Sequence, residues 1–374
     1  MHITSEFDSG NIICDDCSDP RDIQLRIRND HQSDFYQWFY FRLTGARDQA
    51  CRLRFTNAGD AAYAEGWPQY QAVASYDREY WFRVSTQYND GELIIEHQPE
   101  LDAVYYAYFA PYTMERHHDL VATLLQSPRF RHQRLGATLD GQDMDLLLAG
   151  SSDPGLPKIW IIGRQHPGET MAEWWMEGFL DRLADEHDPV SRDLLRRAAL
   201  YIVPNMNPDG SRRGHLRTNA CGANLNREWR TPTMERSPEV YLVRAAMHEA
   251  GVNFCLDVHG DEALPYNFIA GGEGVNNWSD HHQQRLDEFK RRLQAVSPDF
   301  QTTYGYPVDP PNSSDLKKCT EYVAATFDCL SMTLEMPFKD TVDSPDEAQG
   351  WSPERCRHLG RDNLAVIHSM LDQL

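Results

Sequence analysis

Apolar and polar residues alternate through the first part of the chain. Ile23, Leu25 and Ile27 alternate with polar neighbours, as do Phe39, Phe41 and Leu43, then Cys51, Leu53 and Phe55. Short apolar runs follow at Tyr80 to Val84, Leu93 to Ile95 and Val104 to Phe109, separated by turn residues such as Asn89-Asp90-Gly91. A period of two in short, evenly spaced segments predicts an antiparallel β-sandwich. Pro111 closes the run, which places one domain at 1–111 and a second at 112–374.

Beyond that point strand-like and helix-like runs alternate, the signature of an α/β sheet. Strands are predicted at Lys158 to Gly163, Leu200 to Val203, Phe254 to Val258 and Leu330 to Leu334. Helical stripes run through Ala172, Trp175, Met176, Phe179 and Leu183, then Val240, Val243 and Met247. Two more run through Leu286, Phe289, Leu293 and Val296, and from Leu364 to Leu374. The expected architecture is an N-terminal β-sandwich followed by an α/β domain.

Composition narrows the function. With 374 residues, 41% hydrophobic, the chain can build real cores and is not a disordered segment. A net charge of −21 disfavours nucleic acid and anionic lipid as partners. No apolar run approaches the ~20 residues of a membrane span, and MHITSEFDSG carries no export pattern, so a cytoplasmic protein is expected. Eight cysteines fit a reducing compartment. Cys14 and Cys17 form a lone CxxC, read as incidental, and the other six as small buried hydrophobes.

The chemistry gathers directly after the predicted strands. His166 and Glu169 lie in the turn Arg164-Gln165-His166-Pro167-Gly168-Glu169, and Asp209 in Asn207-Pro208-Asp209-Gly210. His259 ends Leu256-Asp257-Val258-His259, and Glu335 ends Met332-Thr333-Leu334-Glu335. Ligands of open α/β sheets bind beyond the carboxyl ends of strands, so these side chains are expected to face one crevice. Two imidazoles and a carboxylate with a fourth position left to water make a catalytic zinc set. His-x-x-Glu also occurs at His97/Glu100, read as non-functional, and at His259/Glu262. Gly168 and Gly260 are expected to let backbone crowd the metal, and Asp261 and Glu262 either to support His259 or to be solvated. Six arginines lie between Arg212 and Arg236 against two acids, an expected anion-binding wall. No GxSxG, P-loop or GxGxxG sequence is present, which leaves serine nucleophiles and nucleotides without support.

Taken together, His-Pro-Gly-Glu (166–169), Asn-Pro-Asp-Gly (207–210), Asn-Leu-Asn-Arg-Glu-Trp (224–229), Asp-Val-His-Gly-Asp-Glu (257–262) and Thr-Leu-Glu (333–335) resemble the zinc metallocarboxypeptidases. The likeness is specifically to their cytosolic, deglutamylase-like branch in its bacterial form, and it runs from about Tyr112 to the C-terminus. The resemblance implies a mixed central sheet flanked by helices, and one zinc per chain on His166, Glu169 and His259. It implies Glu335 as general base, Arg217 polarising the scissile carbonyl, and Asn226 with Arg227 holding the terminal carboxylate of a peptide or protein. Lys317 and Lys318 would line the pocket for the departing residue and favour glutamate. Asn224 stands where the branch often has aspartate, without expected consequence for the chemistry. Tyr304, Tyr306 and Tyr322 all remain candidates for the tyrosine that covers substrate. The alternatives are an amidase of the same fold acting on a peptidoglycan fragment or an acylated amino acid, and, more remotely, a binding protein with a vestigial zinc site.

Overall fold

The computed structural model describes residues 1–374. Its first ten strands are β1 (His2–Thr4), β2 (Ile13–Asp16), β3 (Ile23–Arg26), β4 (Tyr40–Thr44), β5 (Cys51–Phe55), β6 (Val73–Ser75), β7 (Phe82–Arg83), β8 (Ser85–Asn89), β9 (Glu92–His97) and β10 (Ala103–Ala107). They form two five-stranded sheets, ordered β1-β4-β10-β6-β7 and β2-β3-β5-β9-β8. Ile23, Leu25, Leu53 and Phe55 are fully buried, as period two requires. One pair departs from the antiparallel expectation: β3 and β5 run parallel. The chain crosses to the other sheet through β4 between them, and such a crossover returns a strand in its original direction.

The second part begins with α1 (Met114–Leu124), β11 (Phe130–Ala137), β12 (Asp143–Gly150), β13 (Lys158–Gly163), α2 (Met171–Ala184), α3 (Pro189–Arg197) and β14 (Ala199–Val203). It continues with α4 (Pro208–Arg213), α5 (Pro238–Ala250), β15 (Phe254–Asp261), β16 (Phe268–Ala270), α6 (Asp280–Val296), α7 (Cys319–Phe327), β17 (Leu330–Pro337) and α8 (Pro353–Met370). One mixed sheet results, ordered β11-β12-β14-β13-β15-β17-β16. Its centre, β14-β13-β15-β17, is parallel, and the remaining pairs are antiparallel. Successive side chains of β13 serve opposite faces. Ile159 and Ile161 join the apolar cluster containing α2, α6 and α8, whereas Trp160 and Ile162 join the one containing α5 and α7. No helix is long and apolar enough to cross a membrane.

The two parts share a core. Tyr108 stacks on Phe338 with centroids 4.4 Å apart. Arg83 donates to the carbonyls of Phe338, Gln349 and Trp351 at 3.0–3.1 Å. Helices α2 and α8 cross backbone to backbone at Gly178 and Gly360. A Cβ at Gly360 would lie 2.2 Å from the Trp175 carbonyl oxygen, and one at Gly178 equally close to that of Arg357. Gly360→Ala is therefore expected to lower stability by about 1–3 kcal/mol through overpacking, against a helix-propensity gain of about 1 kcal/mol. Thermal unfolding measures this, and an unchanged or higher Tm contradicts it.

Candidate metal centre and its cleft

Strand β13 ends at Gly163, and the chain then turns through Arg164, which adopts φ 58°. That left-handed conformation is costly for a side-chain-bearing residue. The buried Arg164 side chain holds it there by donating to the carbonyls of Pro167 (2.9 Å) and Tyr112 (2.6 Å) and by pairing with Glu173. The turn delivers His166 and Glu169 to the ends of the parallel strands. His259 on β15 and Glu335 on β17 are direct partners in the parallel register, so they stand side by side at the same edge.

All three ligand-type side chains are buried, and their donor atoms lie within 4.8 Å of one another. His166 Nδ1 and His259 Nδ1 each lie 2.7 Å from one oxygen of Glu169. Their other nitrogens face oxygen acceptors: His166 Nε2 meets Asn224 Oδ1 at 3.1 Å, and His259 Nε2 meets Asp257 Oδ2 at 2.9 Å. An acceptor at Nε2 receives a hydrogen bond from the ring N–H there and so leaves Nδ1 as the ligand, the arrangement expected around a metal-binding histidine. Burial, reinforced by the nearby Arg217 charge, pushes the His166 pKa down to about 3 and keeps the ring neutral. Although burial works the other way, the two imidazoles hold the Glu169 carboxyl well below the usual range. Against the effect of burial, the charges of Asp257 and Glu169 raise the His259 pKa well above its usual value. The donor set is thus two imidazoles and one carboxylate. Beside it, Glu335 Oε2 is buried without a hydrogen-bond partner. These residues fit a zinc ion with a water next to a base.

The cleft around them encloses about 430 Å³ and is lined by His166, His259, Glu335, Arg217, Asn226 and Arg227 among others. Arg217 Nη1 lies 3.8 Å from Glu169 Oε1. Asn226 Oδ1 accepts from the Cys319 N–H at 2.8 Å, which leaves its NH2 group as the free donor. Of the candidate tyrosines, only Tyr306 lines the cleft; its hydroxyl donates to Asp261 at 2.6 Å and lies 3.4 Å from Glu335. Tyr304 stacks on Tyr266, and Tyr322 bonds His248.

Several expectations change. Lys317 is exposed and does not line the cleft, because the backbone there turns its side chain outward while its carbonyl accepts from Trp229 N–H. Lys318 does line it but is paired with Glu321 at 2.9 Å. Lys290 of α6, absent from the expected set, reaches the same cleft with no carboxylate within 4.0 Å to pair it. It lies beside the stripe Leu286-Phe289-Leu293, and nothing in that pattern distinguishes it from a solvated lysine. Asn224 does bear on the site, as the acceptor for His166. Asp209 turns away from the crevice, bonding Thr138 and Asp140. Asp261 and Glu262 do not support His259; Asp257 does, while Glu262 is buried with Oε1 unpartnered. Gly168 packs closely on Leu216 and Gly260 on Met171, while the Gly260 N–H donates to the Glu169 carboxylate at 3.1 Å. Only Arg217 and Arg227 of the six arginines line the cleft, since Arg213 and Arg236 pair with Asp140 and Glu228. Cys221 is half-exposed beside Asn219, whereas the other five outside the CxxC are buried.

Comparison with known proteins agrees with this geometry. Residues 118–353 match the zinc carboxypeptidase family, and residues 3–109 match the cytosolic carboxypeptidase N-terminal domain. The chain belongs to the zinc carboxypeptidase family. It is 44% identical to a metallo-carboxypeptidase from Pseudomonas aeruginosa, solved in complex with (2-guanidinoethylmercapto)succinic acid, with TM-score 0.98 and all of both chains covered. A metallo-carboxypeptidase from Burkholderia cenocepacia is 48% identical, with TM-score 0.97 and the same coverage. Cytosolic carboxypeptidase 1 of Xenopus laevis is 26% identical over 72% of this chain, which spans 26% of that longer protein.

Asn224→Ala should weaken zinc binding about 10- to 100-fold, the usual cost of losing an outer hydrogen bond to a ligand. His166→Ala should leave the purified protein without stoichiometric zinc. Metal titration and elemental analysis check both, and a full zinc complement in His166→Ala contradicts the ligand assignment.

Proposed function

We propose that the protein removes C-terminal residues from peptides or proteins in the cytoplasm, with one zinc per chain held by His166, Glu169 and His259. The observation that supports this most is the placement of Glu335, whose unpartnered oxygen sits beside the three-residue donor set at one sheet edge. A bound zinc ion supplies Lewis acidity, which makes water acidic near neutral pH and polarises a carbonyl. Glu335 takes the proton of the attacking water and returns it to the departing amine. Burial, with the charges of Glu169, Asp261 and Glu262, raises its pKa well above the usual carboxyl value, opposed by His259; a cation held beside it would favour the ionised form that can accept the proton. Arg217 faces the oxygen that gains charge on attack. Arg227 and the Asn226 amide hold the substrate's terminal carboxylate, and Tyr306 closes over it. The succinic acid group in the Pseudomonas protein's ligand is a carboxylate partner of the kind these residues suit.

The preference of the pocket is proposed to be acidic, carried by Lys290 with Lys318 rather than by Lys317. Burial lowers the Lys290 pKa, and a substrate carboxylate would supply the counter-charge it lacks. The net charge of −21 opposes approach of an acidic chain, but screening confines that field to about 8 Å at physiological salt. A basic preference is the second reading, because Glu273, Asp309 and Glu321 also line the cleft and the Pseudomonas ligand carries a guanidino group.

Glu335→Gln should keep its zinc and lose about 10²–10⁴-fold in kcat; near-normal turnover of the metal-replete variant contradicts the base assignment. On matched peptides ending in Glu, Gln, Leu or Lys, kcat/KM should be highest for Glu, by about 10- to 100-fold over Gln. Lys290→Met should collapse that ratio, whereas a best substrate ending in Lys supports the second reading.

A further inference from the structure

The loop carrying Arg217 has little structure of its own. Between the end of α4 at Arg213 and the short turn of helix at Leu225–Arg227, no residue belongs to a helix or strand. Its conformation is set from the sandwich instead. Asp30, buried in the loop after β3, presents its carboxylate to three successive residues. Oδ1 accepts from the Leu216 N–H at 2.6 Å. Oδ2 accepts from the N–H groups of Arg217 and Thr218 at 2.8 and 2.9 Å, and from the Thr218 hydroxyl at 3.0 Å. Three consecutive N–H groups converging on one anion form a concave nest, and charge-assisted bonds of this kind are the stronger class. Arg217 is the middle residue of the three.

Neighbouring residues of the sandwich continue the template. The His31 N–H donates to His215 Nε2 at 3.1 Å, and Gly222 lies so near Gln32 that a Cβ would come within 2.4 Å of its carbonyl oxygen. The Asp30 N–H donates to the Phe35 carbonyl at 2.9 Å, so one short turn carries both the anion and the Phe35 ring. That ring and Tyr63 flank the Arg217 guanidinium, its central carbon 5.8 and 5.1 Å from their centroids. The backbone of Arg217 is thus held from outside the part that carries the metal ligands, and its side chain runs between two aromatic rings of the sandwich toward Glu169.

We propose that Asp30 is the positioning residue for Arg217, so that the N-terminal sandwich completes the active site of the catalytic domain. The inference rests on Arg217 facing the oxyanion, as proposed above. Asp30 touches no substrate; it holds the backbone from which the guanidinium is aimed. A displacement of about 1 Å in such a group can cost 10²-fold in rate. A simple anchor between domains would instead lower stability and affect every variant of the enzyme alike.

A double-mutant cycle separates the two. The zinc-loaded full-length wild type, Asp30→Asn, Arg217→Ala and the double variant are compared for zinc content, Tm, kcat and KM on one peptide with a free C-terminus. Asparagine keeps the shape but can accept with only one oxygen. Asp30→Asn is expected to keep its zinc, to lower kcat about 10- to 100-fold and to leave KM nearly unchanged. In the Arg217→Ala background it should change kcat by no more than about twofold, because non-additivity marks residues acting through one another. Should Asp30→Asn fail to fold, Thr218→Val removes one of the four bonds; a loss of about two- to tenfold, again absent without Arg217, supports the proposal. An unchanged kcat, loss of zinc, or a loss that multiplies fully in the double variant overturns it. If Arg217→Ala itself leaves kcat intact, the oxyanion role of Arg217 fails and the positioning role falls with it. A catalytic Arg217 with an inert Asp30 overturns the positioning role alone.

Discussion

Glu169 places one carboxylate between two buried imidazoles, and the cost of removing such groups from water sets the terms for everything around them. Buried polar groups are tolerated only where each has a partner. The outer nitrogen of each histidine is accordingly met by Asn224 or Asp257. Gln165 bonds Asp257 at 2.6 Å and is itself held by Trp229 at 2.8 Å. Glu335 keeps an unpartnered oxygen at the point where a proton must be taken up, and Asp257 and Glu262 nearby each keep one as well.

The same demand links the sandwich to the part that carries the donor set. Arg164, strained in backbone and buried in side chain, reaches back to Tyr112 at the junction. Asp30 and Arg83 reach across in opposite directions, from the sandwich to the loop of Arg217 and to the carbonyls around Trp351. The stacked Tyr108 and Phe338 seal the space between them. The sandwich lines no part of the cleft itself but holds the loop that brings Arg217 to it.

How far the sequence foretold this depends on which forces act at each residue. Buried strands such as Lys158 to Gly163 and Phe254 to Val258 were legible because both faces are covered, so apolar residues run unbroken. Edge strands were not: Ser85–Asn89 and Phe130–Ala137 are polar and largely exposed, as unpaired edges must be. The donor set was legible because its residues sit within a few positions of strand ends. Asp30 gave no signal, since a lone aspartate in a turn reads as a solvated one until the loop 186 residues further on folds against it. Lys290 and Lys317 were confused for the same reason: the direction of a long side chain is decided by tertiary packing, not by its neighbours in sequence.

The central claim is that this cleft hydrolyses the last peptide bond of a chain whose terminal carboxylate it grips. The most direct measurement offers the zinc-loaded protein one peptide in two forms, with a free C-terminal carboxylate and with that group blocked as an amide, and follows the products by mass spectrometry. Loss of single residues from the free form, with the amide left intact, is the predicted result. Cleavage of the amide at a comparable rate, or of neither form, would contradict it.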